Sequence, residues 1–105
     1  PDPARAEQLF EQAATAGFVP AQLTLGMLYD VGPDWPRDPA RAANWYNTAA
    51  ANGSAEAQLN LGYLLAAGEG VKTDLAQAYA RTYAAERLGH PLASDNLRLI
   101  GARLS

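Results

Sequence analysis

Residues 38–74 read DPARAANWYNTAAANGSAEAQLNLGYLLAAGEGVKTD, and the reading of this stretch decides the fold. It opens with Asp38-Pro39. Asp accepts hydrogen bonds from the free N–H groups at a helix start, and Pro suits the first helical position. A run rich in Ala follows as far as Gly53, placed as the C′ residue that closes a helix in a left-handed conformation. A second helix is expected over about 55–67, ending at Gly68. The linker Glu69-Gly70-Val71-Lys72-Thr73 then leads to Asp74, another cap. The stretch is therefore one helical hairpin and the start of the next.

The same pattern extends in both directions with a step of 36 residues. Asp2, Asp38 and Asp74 keep it, as do Gly17, Gly53 and Gly89, Ala21, Ala57 and Ala93, and Leu25, Leu61 and Leu97. Residues 3–38 match 39–74 at 15 of 36 positions without a gap, which is too regular for chance and makes the chain a repeat array. The third copy, 75–105, matches the second at 8 of 31 positions. End repeats are expected to diverge, because one face loses its neighbour. The other second helices are expected at about 20–31 and 91–103, with Pro20 and Pro91 near their starts. One domain of three repeats, 3–38, 39–74 and 75–105, follows.

Helical spacing assigns the core. Ala57, Leu61, Gly62, Leu65 and Gly68 share one wheel face, matched by Ala21, Leu25, Gly26, Tyr29 and Gly32. The first helix of the second copy aligns Ala42, Trp45, Tyr46 and Ala49. A mid-helix glycine costs about 1 kcal/mol relative to Ala, so Gly26 and Gly62 point to close helix–helix contact. Alanine, with 23 residues, favours helix, and no segment alternates as a half-buried strand does. The fold class is all-α.

Charge and composition exclude several functions. The net charge is −3 and no basic stripe exists to displace counterions from nucleic acid. No segment approaches the roughly 20 apolar residues of a membrane span. Without cysteine, neither disulfides nor thiolate chemistry is available, and the redox compartment stays open. Seven of the eight basic residues are Arg, which together with the alanine content fits GC-rich bacterial coding. The start at Pro1 suggests a piece of a longer protein.

The combination of period and motif resembles the Sel-one-like repeat, a relative of the tetratricopeptide repeat. The matching residues are Ala57, Leu61-Gly62, Gly68-Glu69-Gly70-Val71, Asp74 and Ala78, with Ala42, Trp45-Tyr46, Ala49-Ala50 and Gly53. The departures are Leu65 for the usual aromatic, Gly32-Pro33-Asp34-Trp35 for Gly-x-Gly-Val, Arg81-Thr82 for Trp-Tyr, and Arg98 for Gly62. The last hairpin thus reads as a divergent end cap. The resemblance implies a right-handed α/α superhelix of about three antiparallel hairpins and a scaffold role. Members of the family assemble complexes in the bacterial envelope, at cell poles or in signalling, so a periplasmic or exported location is slightly favoured over the cytoplasm.

The resemblance also implies that the second helix of each hairpin lines a concave groove. The wheel face opposite the core carries Glu56, Leu59, Asn60, Tyr63 and Ala67, matched by Pro20, Leu23, Thr24, Met27 and Val31, and by Leu92, Asp95, Asn96, Leu99 and Arg103. Leu23, Met27, Leu59, Asn60 and Tyr63 are the candidate partner-binding residues, since Met adapts to varied surfaces and Tyr is enriched in interfaces. The bland alternative is packing between repeats. Trp35 is expected to cover the inter-repeat core at the place of Val71, and Trp45 to belong to that core.

Chemistry-bearing patterns are weak. His90, Ser94 and Asp95 are merely near in sequence, whereas a triad needs a base held by a third group and an oxyanion pocket. One His without Cys makes no metal site. Gly68-Glu69-Gly70 lacks the longer phosphate-loop pattern, and Asn52-Gly53-Ser54 fits a glycosylation acceptor by chance. Asp34 and Asp38 flank a loop in which Asp38 has capping work. No catalytic residue, cofactor or metal is expected. The leading expectation is a protein- or peptide-binding scaffold. The alternatives are a cell-wall glycan (peptidoglycan) binder, which needs Trp35 and Tyr63 exposed in a cleft, a structural spacer in a larger exported protein, and an enzyme of unassigned kind.

Overall fold

The computed structural model describes residues 2–33 and 35–105, with the backbone alone at Pro3. Six helices follow one another: α1 (Pro3–Thr15), α2 (Val19–Val31), α3 (Pro39–Ala51), α4 (Ala55–Ala67), α5 (Leu75–Arg87) and α6 (Ala93–Leu104). No strand occurs among the described residues. Each helix packs on its sequence neighbours, α2 also touches α4, and the stack measures 46 × 25 × 19 Å. This is an all-α solenoid.

The caps form as their residue types require. Asp2, Asp38 and Asp74 accept hydrogen bonds from the N–H groups of Ala4, Arg41 and Gln77, and Ser54 accepts from Ala57. At the other end of α3, Gly53 has φ 101° and its N–H donates to Ala50 O, while Ser54 N–H donates to Ala49 O. This double bond pair closes the last turn, and it recurs 36 residues away at Gly17-Phe18 and Gly89-His90. Three odd-numbered helices therefore end in the same turn.

The second turns differ. Gly68 ends α4 in the left-handed region, whereas Gly32 after α2 has an extended backbone. Helix α6 starts at Ala93, two residues later than the spacing predicts. Pro91 instead belongs to a turn in which Ala93 N–H reaches His90 O and Leu92 N–H reaches His90 Nδ1.

The core is the predicted face. Ala21, Leu25, Tyr29, Ala42, Tyr46, Ala49, Ala57, Leu61 and Leu65 are all buried. Trp45 is half-buried against them. The two glycines mark where helices touch. A Cβ on Gly26 would lie 2.5 Å from the Tyr46 ring, and one on Gly62 would lie 2.5 Å from Thr82 Oγ1 and 3.2 Å from Ala78 O. Both distances are below van der Waals contact, so only glycine permits α2 to meet α3, and α4 to meet α5, at this separation.

Candidate interaction groove

The even-numbered helices share a face, and the 36-residue step sets a row of side chains along it. Met27 on α2, Tyr63 on α4 and Leu99 on α6 are 41%, 58% and 65% exposed. Three large apolar groups at equivalent positions stay in water, as do Val31 and Leu104 on the same set of helices. Isolated exposed apolar residues need no explanation, but a row of them does.

Between α4 and α6 the row opens into a cavity of about 210 Å³. Tyr63, Ala66 and Ala67 form one wall, and Asn96, Leu99, Ile100 and Arg103 the other. Arg103 crosses between the helices, donating from Nη1 to Ala66 O at 3.1 Å. The walls are mainly apolar, with an amide and a guanidinium at the edge, the composition expected of a binding cleft.

The five residues proposed from sequence do not all reach this face. Met27 and Tyr63 do. Leu23 is half-buried against the main core. Asn60 is half-buried, with its amide beside the Tyr46 hydroxyl. Leu59 is corrected: it is 6% exposed and packs against Ala85 of α5 and Ala93 of α6. The next hairpin folds over it, because a helix in a stack is covered on two sides and leaves only a narrow strip free. Ala66 and Ile100 join the site although no sequence reading singled them out. Asn96, Leu99 and Arg103 were legible as the third-copy equivalents of Asn60, Tyr63 and Ala67.

Several polar groups outside this face have structural partners. Tyr29 OH donates to the Glu7 carboxylate, Arg41 Nη1 donates to Tyr29 OH at 3.3 Å, and the Arg41 guanidinium stands 5.4 Å above the Tyr29 ring. Burial, and then the Glu7 bond, raise the Tyr29 pKa. Tyr46 OH donates to Asp30 Oδ2 at 3.0 Å, and its pKa is raised by burial first and by the Asp30 charge second. Arg37 bonds Asp30 Oδ1 at 3.1 Å and also pairs with Glu69, tying two successive linkers together.

His90 is engaged with the preceding repeat. Its Nδ1 accepts from Leu92 N–H at 3.1 Å, so in the neutral ring Nε2 carries the proton toward Glu56 Oε2 at 3.0 Å. Asp95 instead pairs with Arg98, so His90 is not held by it as a triad base would be. Trp35 is half-buried and its indole N–H donates to Glu7 Oε1 at 3.4 Å, which turns it toward α1. Asp38 caps α3, while Asp34 lies outside the described residues. Among the described residues no three His, Cys, Asp or Glu side chains converge, and no helix is long and apolar enough to cross a membrane.

Comparison with known proteins bears on the fold and on the family. The Sel1 repeat family model matches residues 1–18, 19–54 and 55–80. Its frame breaks before α2 and before α4, so the Gly26–Tyr46 contact falls inside one family unit. The solved Sel1 repeat protein of Oxalobacter formigenes is 37% identical with a TM-score of 0.88, over 94% of this chain and 29% of that one. A protective antigen of uropathogenic Escherichia coli displaying an SLR fold is 37% identical with a TM-score of 0.82, over 88% of this chain and 20% of that one. Cysteine-rich protein B of Helicobacter pylori is 28% identical with a TM-score of 0.83, over 92% of this chain and 73% of that one. The chain thus spans less than a third of the length of the first two. No curated protein sequence matches it.

Proposed function

The chain belongs to the Sel1 repeat family, and on that premise we propose that it is a non-enzymatic interaction module whose even-helix face holds a protein or peptide partner. The row Met27, Tyr63 and Leu99, exposed at successive repeats, with Tyr63 and Leu99 lining the α4–α6 cavity, carries this reading. The face is built on helices held by the close contacts at Gly26 and Gly62 and, at α4, by the Ser54 cap. A rigid surface loses little entropy on binding, which favours recognition by a preformed groove. The bacterial sources of the similar structures are consistent with a place in an envelope or signalling assembly, which fractionation of the source cells tests.

The reading is tested by affinity capture from source-cell lysate with the parent chain and with a Met27→Asp, Tyr63→Asp variant checked for helicity by circular dichroism. A protein retained by the parent and lost by the variant supports the groove. Retention indifferent to the two substitutions places the partner elsewhere and defeats it. A glycan reading needs Trp35 as a second aromatic platform, and Trp35 is engaged with Glu7. Co-sedimentation with purified cell wall that depends on Tyr63 would favour the glycan nonetheless.

A further inference from the structure

Resting on that groove reading, we propose that the α4–α6 cavity takes the C-terminal residue of a partner peptide, with the apolar side chain between Tyr63 and Leu99 and the free α-carboxylate on Arg103 and Asn96. The cavity of about 210 Å³ has room for one large side chain, and its walls of Tyr63, Ala66, Leu99 and Ile100 are apolar. Its cation is particular to this end of the molecule: Arg103 stands where the earlier copies have Ala67 and Val31.

Arg103 is positioned and only partly used. One N–H is fixed on Ala66 O at 3.1 Å, and among the described residues no carboxylate pairs with it. Arg37, Arg41 and Arg98 each have an acidic partner, whereas Arg5, Arg81 and Arg87 share with Arg103 the lack of one among the described residues but do not line the cavity. A guanidinium has five donors in a planar fork that suits a carboxylate, and charge-assisted bonds of this kind are the strong ones. Asn96, about two turns earlier on α6, adds an amide donor to the same lining.

A chain terminus fits better than an acidic stretch. In a C-terminal residue the carboxylate and side chain hang from one Cα, matching a cation at the rim of a one-side-chain pocket. The domain itself carries a net charge of −3, which repels a run of acids more than a single carboxylate.

The test titrates the ¹⁵N-labelled chain with acetyl-Gly-Ser-Gly-Ser-Leu bearing a free carboxylate, with its C-terminal amide, and with acetyl-Gly-Ser-Gly-Leu-Asp-amide. The proposal expects the free acid to shift the signals of Tyr63, Asn96, Leu99 and Arg103, and to bind at least about tenfold more tightly than either amide. Arg103→Gln, whose spectrum first shows that the fold is kept, should erase the difference between acid and amide. Equal binding of acid and amide to the parent, or no shift at these residues up to about 5 mM peptide, overturns it. Equal binding by the Asp-bearing amide overturns the assignment to a chain terminus. None of these failures touches the capture experiment, whose loss in the Met27→Asp, Tyr63→Asp variant decides the groove on its own.

Discussion

The α2–α3 and α4–α5 junctions are copies of one another, 36 residues apart, and they solve the same packing problem with different polar chemistry. At the first, Gly26 admits the Tyr46 ring, whose hydroxyl is bonded to Asp30. Gln22 donates to Ala14 O at 3.1 Å and accepts from Asn52 Nδ2 at 3.2 Å. At the second, Gly62 admits Thr82 in place of Tyr46, and Ala66 stands where Asp30 would be. Leu88 stands where Asn52 would be. Two buried oxygens, Thr82 Oγ1 and Gln58 Oε1, are left there without a hydrogen-bond partner. The Ala, Leu and Gly positions of the frame (Ala21 and Ala57, Leu25 and Leu61, Gly26 and Gly62, Ala42 and Ala78, Ala49 and Ala85) are repeated, while the polar pairs are not. A buried pair needs two positions to change together, whereas an apolar contact tolerates one change at a time.

The largest expected effect breaks the feature that the junctions share. Gly62→Leu drives a side chain into Thr82 and the Ala78 carbonyl, and overpacking of this kind costs about 3 kcal/mol. Urea unfolding should show the midpoint falling with an unchanged slope, and a midpoint equal to the parent's would place this face outside the core. Next comes Tyr46→Phe at the satisfied junction. It removes the bond to Asp30 and should cost about 1 kcal/mol near neutral pH.

The same variant carries a pH signature. Burial and Asp30 raise the Tyr46 pKa above its unfolded value, so the folded state favours the protonated phenol. The stability this provides is fully present below about pH 10 and is lost as pH rises toward the raised folded value. Tyr46→Phe should therefore lose less stability than the parent between neutral and strongly alkaline pH, and identical slopes would remove Tyr46 from that titration.

Two smaller effects sharpen the contrast at the second junction. Thr82→Val deletes a buried hydroxyl that has no partner and should gain up to about 1 kcal/mol. The equivalent loss of a polar group at Tyr46 destabilises, so opposite signs at matched positions are the expectation. Leu88→Asn re-creates the Asn52–Gln22 bond for Gln58 and should add about 0.5 kcal/mol. Thermal melting checks both, and a loss in either shows that the junction has relaxed around its unpaired oxygens.

Much of the fold is legible because its determinants are local. Asp38 caps through its own side chain, and Gly53 turns on its own backbone freedom, so a single residue type suffices to announce each. Gly26 and Gly62 are legible as a penalty in need of a reason. The groove is legible only in part. Met27 and Tyr63 keep the exposed strip, but Leu59 lies one wheel position away and is covered by Ala85 and Ala93. A two-faced wheel cannot represent a helix that has neighbours on both sides. The direction of Trp35, turned to Glu7, depends on a linker with no regular period, and so does the late start of α6 behind His90.

The helices pack mainly on those next to them in the chain, with lesser contacts from α2 to α4 and from α4 to α6. In kinetic language this is a low contact order: little loop has to be closed before contacts reward it. Such a chain should nucleate at any hairpin and spread by accretion, with amide exchange protection graded along the stack instead of lost in one step.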